Sequence, residues 1–155
     1  MLAAAPEIAR LGVIGAGQMG NGIAHVCALA GLPVTMLDVK AEQLDRARAT
    51  MAHNMERQVN RGLITAEDRD AALARVTAST DYAAFGDADL VIEAATEKEE
   101  IKHAVFRALT PHLKPSCMLA SNTSSISITR LGASTDRPEK FIGVHFMNPV
   151  PVMKL

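Results

Sequence analysis

Short apolar runs alternate with amphipathic stretches along the whole chain. Leu11–Ile14 has the length and composition of a buried strand. From about Gln18, the residues Met19, Ile23, Val26, Cys27 and Ala30 recur at helical spacing and predict one buried face. Gly31 reads as the C-terminal cap of that helix. Pro33–Leu37 follows as a second buried strand. A helical pattern then runs from about Ala41 to Arg61, with Leu44, Met51, Met55 and Val59 apolar, and Gly62 stops it. Another helix is signalled at Thr65, where Thr65-Ala66-Glu67-Asp68 resembles a capping box with a shorter acid at its third helical position. The next strand begins only near Val76, so the two helices read as a hairpin inserted into the crossover. Leu90–Glu93, Cys117–Ala120 and Phe141–Val144 mark three more strands. The order is β-α-β-(αα)-β-α-β-α-β-α-β, with no internal repeat and no Ser- or Pro-rich linker. Such alternation predicts one α/β domain built on a doubly wound, mostly parallel sheet with right-handed crossovers.

The junction of the first strand and helix carries chemistry. Gly15-Ala16-Gly17-Gln18-Met19-Gly20 is the G-x-G-x-x-G dinucleotide fingerprint, set between an apolar strand and a helix. Gly15 allows the tight turn, Gly17 lets a pyrophosphate approach the backbone, and Gly20 lets helix and strand pack closely. The helix N-terminus offers unpaired N–H groups and positive dipole density to the phosphates. Asp38 ends the next strand, where a carboxylate meets the ribose 2′-hydroxyl. The fold expected is therefore Rossmann-type, with a helix hairpin inserted after the second strand.

Composition narrows the class. The chain has 155 residues, 48% of them hydrophobic, enough for one domain with a real core. A net charge of −1 and 3% aromatic residues argue against nucleic-acid binding and base stacking. Cys27 and Cys117 lie far apart in apolar stretches and read as packing residues, compatible with a reducing compartment. No stretch reads as a membrane span or a signal peptide, so a cytoplasmic protein is expected. No metal site is expected.

Polar residues gather where strands end. Ala95-Thr96-Glu97 follows Leu90–Glu93, and ligands of open α/β sheets sit just beyond the carboxyl ends of strands. Glu97 and Lys102 are thereby placed to approach a cofactor, although Glu97 equally suits an exposed helix start. Ser121-Asn122-Thr123-Ser124-Ser125 can hydrogen-bond a ligand or cap the following helix. The last strand delivers His145, with Asn148-Pro149 just after it. Arg46, Arg48, Arg57 and Arg61 make the hairpin basic. Each alone reads as solvated, and together they suit a phosphorylated substrate tail.

Gly15–Gly20, Ser121–Ser125 and the run His145-Phe146-Met147-Asn148-Pro149-Val150-Pro151-Val152-Met153-Lys154-Leu155 together resemble the L-3-hydroxyacyl-CoA dehydrogenase family. Its bacterial 3-hydroxybutyryl-CoA branch is the most similar. The resemblance runs from about Ile8 to the last residue and includes the hairpin. It implies NAD as cofactor and an acyl-CoA thioester as substrate, whose 3-hydroxyl is oxidised or whose 3-oxo group is reduced, in fatty-acid and butanoate metabolism. By resemblance, Gly15, Ala16, Gly17, Gln18, Met19 and Gly20 hold the pyrophosphate, and Asp38 holds the adenosine ribose. Glu97, Lys102 and Asn148 line the nicotinamide half. Ser124 hydrogen-bonds the substrate and approaches the nicotinamide, and His145 takes the hydroxyl proton. Asn54 and Arg61 fall where the family contacts coenzyme A, with Asn54 replacing the serine of some relatives.

The resemblance also implies a continuation past Leu155. Family members add a glutamate that orients the histidine, then an all-helical domain that forms much of the substrate cleft and a homodimer interface. Residues 1–155 are therefore expected to form the NAD-binding domain alone, to bind NAD(H) with little turnover, and to expose apolar surface around Phe146, Val150 and Val152. Two other readings stay open. One is a superfamily dehydrogenase acting on a sugar acid. The other is a non-catalytic nucleotide-sensing module, against which the presence of both Ser124 and His145 speaks.

Overall fold

A computed structural model describes residues 5–155. Six parallel strands form one sheet: β1 (Leu11–Ile14), β2 (Val34–Leu37), β3 (Val76–Ser79), β4 (Leu90–Glu93), β5 (Met118–Ser121) and β6 (Phe141–Gly143). Their order is β3-β2-β1-β4-β5-β6, with every neighbouring pair parallel. The order reverses between β1 and β4, which creates the crevice at which doubly wound sheets bind ligands. The helices are α1 (Gln18–Leu29), α2 (Ala41–Asn60), α3 (Ala66–Ala74), α4 (Glu99–Leu109) and α5 (Ile128–Ala133).

Alternation along each strand sends side chains to two cores. Leu11, Val13, Val34, Met36, Ile92 and Ala120 face the α1–α3 layer. Ile14, Leu37, Val91 and Leu119 face the α4 layer, with Phe85, Phe106 and Leu109. Both faces are covered, and this is why the strands read as continuous apolar runs.

The hairpin lies where the sequence put it. Thr65 Oγ1 accepts from Asp68 N at 3.1 Å and Asp68 Oδ2 accepts from Thr65 N at 3.0 Å, so the shorter acid closes a full capping box. Gly31 and Gly62, just past the ends of α1 and α2, both adopt positive φ. Leu44, Ala47, Met51 and Met55 bury the inner face of α2.

Three expectations are corrected. Between β3 and β4 the chain makes no α-helix but a single 3₁₀ turn, Tyr82–Phe85, which plugs Phe85 into the core. On α1, Ala30 is exposed, and the run from Gly20 to His25 is buried all round, Asn21, Gly22 and His25 included. The hairpin covers its far side: Asn21 Nδ2 donates to Ala47 O at 3.0 Å, and His25 Nε2 lies 2.8 Å from Gln58 Oε1. Val150 is not exposed either. It packs on α1, where a Cβ added at Gly22 would meet it at 2.7 Å, and Phe146 is half-buried, which leaves Val152 as the exposed member of that trio.

Candidate functional site

The carboxyl ends of β1, β2, β4 and β5 open onto a cleft of about 480 Å³. Gly15, Gly17, Gln18, Met19, Asp38, Glu97 and Asn122 are among its walls. Gly15 has a φ of +101°, and a Cβ there would lie 2.7 Å from Ala95 Cα. A Cβ on Gly20 would lie 1.7 Å from Gly15 O, so turn and helix touch backbone to backbone. At Gly17 an added Cβ meets nothing within 4 Å, because that side is cleft.

The start of α1 has neither a side-chain cap nor an acidic residue in its first turn. Its first N–H groups are left to a ligand, and the helix dipole favours an anionic one. Asp38 stands across the cleft. Its Oδ2 accepts from Ala16 N at 3.0 Å and its Oδ1 from Lys40 N at 3.0 Å. The carboxylate therefore fixes the glycine turn and still presents lone pairs to a hydroxyl. These are the features a dinucleotide needs: open space at the middle glycine, bare amides for the pyrophosphate and a carboxylate for the ribose.

The other half of the cleft is tied by side chains. Glu97 Oε2 accepts from Thr123 Oγ1 at 2.8 Å and from Ser125 Oγ at 3.4 Å, joining the β4–α4 loop to the β5–α5 loop. The helix cap of α5 is Ser127, whose hydroxyl accepts from Arg130 N at 3.2 Å. Ser124 is thus free of capping duty and exposed. His145 and Asn148 are exposed on the segment that follows β6, next to β5.

Lys102 departs from its expected place. Its side chain is fully buried, not in the cleft wall, and its ammonium donates to Glu93 Oε1 and, at 3.0 Å, to Ser121 Oγ. Ser121 Oγ in turn donates to Glu93 Oε1 at 2.8 Å, and Glu93 Oε2 accepts from Ala95 N at 2.8 Å. The signal was in the sequence: Lys102, Phe106 and Leu109 share one helical stripe, and all three are buried. Lys102 thus braces the ends of β4 and β5 beneath the cleft. Ser121 is a buried member of the same brace rather than a ligand group.

A second cavity of about 280 Å³ lies against the hairpin, lined by Asn54, Arg57, Arg61, His25 and Gln58 from the helices and by Pro149, Pro151 and Val152 from the turn after Asn148. The structure thus brings Asn54 and Arg61 together and adds Arg57. Arg48 is drawn off, its Nη1 donating to Val76 O at 2.9 Å. Sequence reasoning did not find His25. It is buried, its Nδ1 has no partner among the described residues, and burial holds its pKa below the usual histidine range despite the bond to Gln58.

Other groups are structural. Glu99, His103 and Ser134 line up like a nucleophile relay, His103 Nδ1 lying 2.8 Å from Ser134 Oγ. Ser134 Oγ, however, donates to Leu131 O at 2.7 Å and Glu99 is held by Arg130, so the set ties α4 to α5. Burial pushes both cysteine thiols up to about 11, which makes them inert packing groups. Among the described residues no helix is long and apolar enough to cross a membrane, and no cluster of metal-ligating side chains is present.

A glycine turn, a bare helix start and a carboxylate ending the neighbouring strand, at the reversal of a parallel sheet, define a dinucleotide-binding domain. The family described as 3-hydroxyacyl-CoA dehydrogenase, NAD binding domain, matches residues 10–155, and the chain belongs to it. NAD is the cofactor of this domain. The chain is 56% identical over 151 residues to a 3-hydroxybutyryl-CoA dehydrogenase of Bradyrhizobium diazoefficiens, covering 97% of this chain and 52% of that protein. It is 45% identical over 149 residues to the 3-hydroxyadipyl-CoA dehydrogenase of Escherichia coli, covering 96% of this chain and 31% of that protein. The solved (S)-3-hydroxybutyryl-CoA dehydrogenase of Ralstonia eutropha superposes with a TM-score of 0.94 at 44% identity, over 96% of this chain and 53% of that one. The chain spans about half the length of the 3-hydroxybutyryl-CoA dehydrogenases it matches.

Proposed function

We propose that this chain is the NAD-binding domain of an enzyme that oxidises L-3-hydroxyacyl-CoA to 3-oxoacyl-CoA, or runs the reverse reduction, in fatty-acid and butanoate metabolism. The observation that carries the reading is the second cavity. It joins three side chains suited to a phosphorylated, amide-rich tail (Asn54, Arg57 and Arg61) to the turn immediately after Asn148. A tail held there leads towards the segment that bears His145 and Asn148, next to the cofactor cleft. A sugar-acid substrate has no use for such a cavity, which favours the acyl-CoA reading over that rival.

Bound NAD supplies the hydride acceptor. The first turn of α1 binds the pyrophosphate through its free N–H groups, and Asp38 accepts from the ribose 2′-hydroxyl. Glu97 and Asn148 flank the nicotinamide half. Lys102 acts on that half from beneath, through Glu93 and Ser121, instead of touching it. Ser124 Oγ hydrogen-bonds the substrate oxygen, and the His145 imidazole accepts the hydroxyl proton, or returns it in the reduction. The remaining substrate contacts, the carboxylate that orients His145 and the homodimer interface are assigned to a helical domain outside residues 1–155. The partner is an acyl-CoA, with no nucleic acid and no membrane. The cytoplasm is the expected compartment, in keeping with two free, inert thiols.

The test follows NADH oxidation with acetoacetyl-CoA, using the protein at its natural length beside residues 1–155. The expected result is turnover by the longer protein and NADH binding with little turnover by the shorter chain. NADH binding without turnover in the longer protein returns the non-catalytic sensing module. Turnover of a 3-oxo sugar acid but not acetoacetyl-CoA returns the other dehydrogenase.

A further inference from the structure

His145 stands where regular structure has ended. β6 stops at Gly143, and the chain beyond it has no ladder to hold it. The two residues that flank His145 are nevertheless both fixed. Val144 N donates to Ser121 O at 3.2 Å, and Phe146 N donates to Asn122 Oδ1 at 2.8 Å. Asn122 is itself anchored, since its N donates to Glu93 O at 2.9 Å and its side chain is almost entirely buried. The residue also lines the cofactor cleft.

We propose that Asn122 is a positioning residue for His145: its side-chain oxygen holds the backbone on which the imidazole stands, next to the bound cofactor. The inference rests on the reading of His145 as the proton acceptor. A backbone amide held by a side chain sets where the next side chain begins, and misplacement of a reacting group by about 1 Å costs on the order of 10²-fold in rate. The anchor reaches the same brace that Lys102 makes, because Glu93 O holds Asn122 N while the Glu93 carboxylate holds Lys102 and Ser121. One buried cluster thus locates both the floor of the cofactor cleft and the segment that carries the histidine.

Two variants of the natural-length protein separate this role from a general one. Asn122→Asp keeps an oxygen that accepts from Phe146 N and loses the amide donor. Asn122→Ser also loses that donor, stays polar, and has an oxygen too short to reach Phe146 N. At saturating NADH and acetoacetyl-CoA, Asn122→Ser is expected to lose roughly 10- to 100-fold in kcat. Asn122→Asp is expected to keep at least about tenfold more kcat than Asn122→Ser, because the acceptor is what positions the histidine. The Asp carboxylate adds a charge at the cleft wall, so NADH affinity is measured for each variant and kcat is compared only at saturation. The imidazole NMR signals of His145 in the NADH complex should broaden or shift in Asn122→Ser and not in Asn122→Asp. A kcat for Asn122→Ser within twofold of wild type overturns the proposal, as does an Asn122→Asp that falls as far as Asn122→Ser. A wild-type protein that binds NADH but leaves acetoacetyl-CoA unreduced defeats the functional reading instead. The His145 signals of the two variants then decide positioning alone, with unchanged signals in both overturning it.

Discussion

Replacing Gly17 by alanine separates cofactor binding from folding with a single methyl group. Gly17 has φ −73° and ψ −168°, a conformation open to alanine, and the added Cβ meets no protein atom within 4 Å. Loss of unfolded-chain entropy favours alanine by about 0.4–1 kcal/mol. Alanine is a poorer N-cap than glycine by a similar amount, so stability should stay within about 0.5 kcal/mol of wild type. The methyl occupies the space through which the pyrophosphate reaches the first turn of α1. Losing one charge-assisted hydrogen bond there costs about 1.5–3 kcal/mol, or roughly 10- to 150-fold in Kd for NADH. Gly20→Ala is the control with the opposite profile. Its Cβ falls 1.7 Å from Gly15 O, where ordinary contact begins at 3.4 Å. Helix and turn must part, at a cost of about 1–3 kcal/mol or more, and NADH binding is lost with stability. Fluorescence titration of NADH and thermal unfolding of both variants make the comparison. Wild-type affinity in a folded Gly17→Ala protein refutes the placement of the pyrophosphate.

Asp38 predicts NAD(H) over NADP(H), by about tenfold or more in Kd, because its carboxylate repels a 2′-phosphate. Equal affinity in parallel titrations transfers control to Lys40, whose backbone N–H is held by the same carboxylate. Arg61→Ala in the natural-length protein should weaken acyl-CoA binding by roughly 1–3 kcal/mol and leave NADH binding intact, and an unchanged Michaelis constant for acetoacetyl-CoA returns Arg61 to solvent. Lys102→Met leaves the Glu93 carboxylate buried without its cation and should destabilise the fold by about 3–5 kcal/mol in urea unfolding. A change below 1 kcal/mol means that Ser121 and Ala95 N suffice for that charge. Stability should also fall with acidification below the ordinary histidine value of 6.5. His25 binds protons less readily when folded than when unfolded, so its contribution is complete above that pH and is lost as pH drops towards the folded pKa. A melting temperature flat between pH 7 and 5.5, or a slope unchanged in His25→Gln, removes His25 from that account.

The cleft walled by the glycine turn and Asp38 was legible because its determinants are local. A strand, a glycine turn and a helix start occupy adjacent residues, and Asp38 sits at the end of the very next strand, so pattern and spacing carry Gly15–Gly20 and Asp38 without tertiary information. The capping box at Thr65 and the stops at Gly31 and Gly62 were legible for the same reason. The 3₁₀ turn at Tyr82–Phe85 was not, because a four-residue connection and a short helix share one local signature.

What only the tertiary structure decided is which polar groups face a cavity and which face one another. Lys102 was expected in the cleft from its distance along the chain after β4. The turn of α4 carries it instead onto the apolar stripe with Phe106, where Glu93, nine residues before it, neutralises its charge and Ser121, 19 after it, accepts a hydrogen bond. Asn122 and Phe146, 24 residues apart, meet only because β5 and β6 pair in parallel. His25 became a cavity wall only because the hairpin folds over the far side of α1. Local sequence fixes backbone conformation within a few residues. Burial and pairing across strands depend on the whole sheet, and that is where the Lys102–Glu93–Ser121 brace and the bond from Phe146 N to Asn122 were decided.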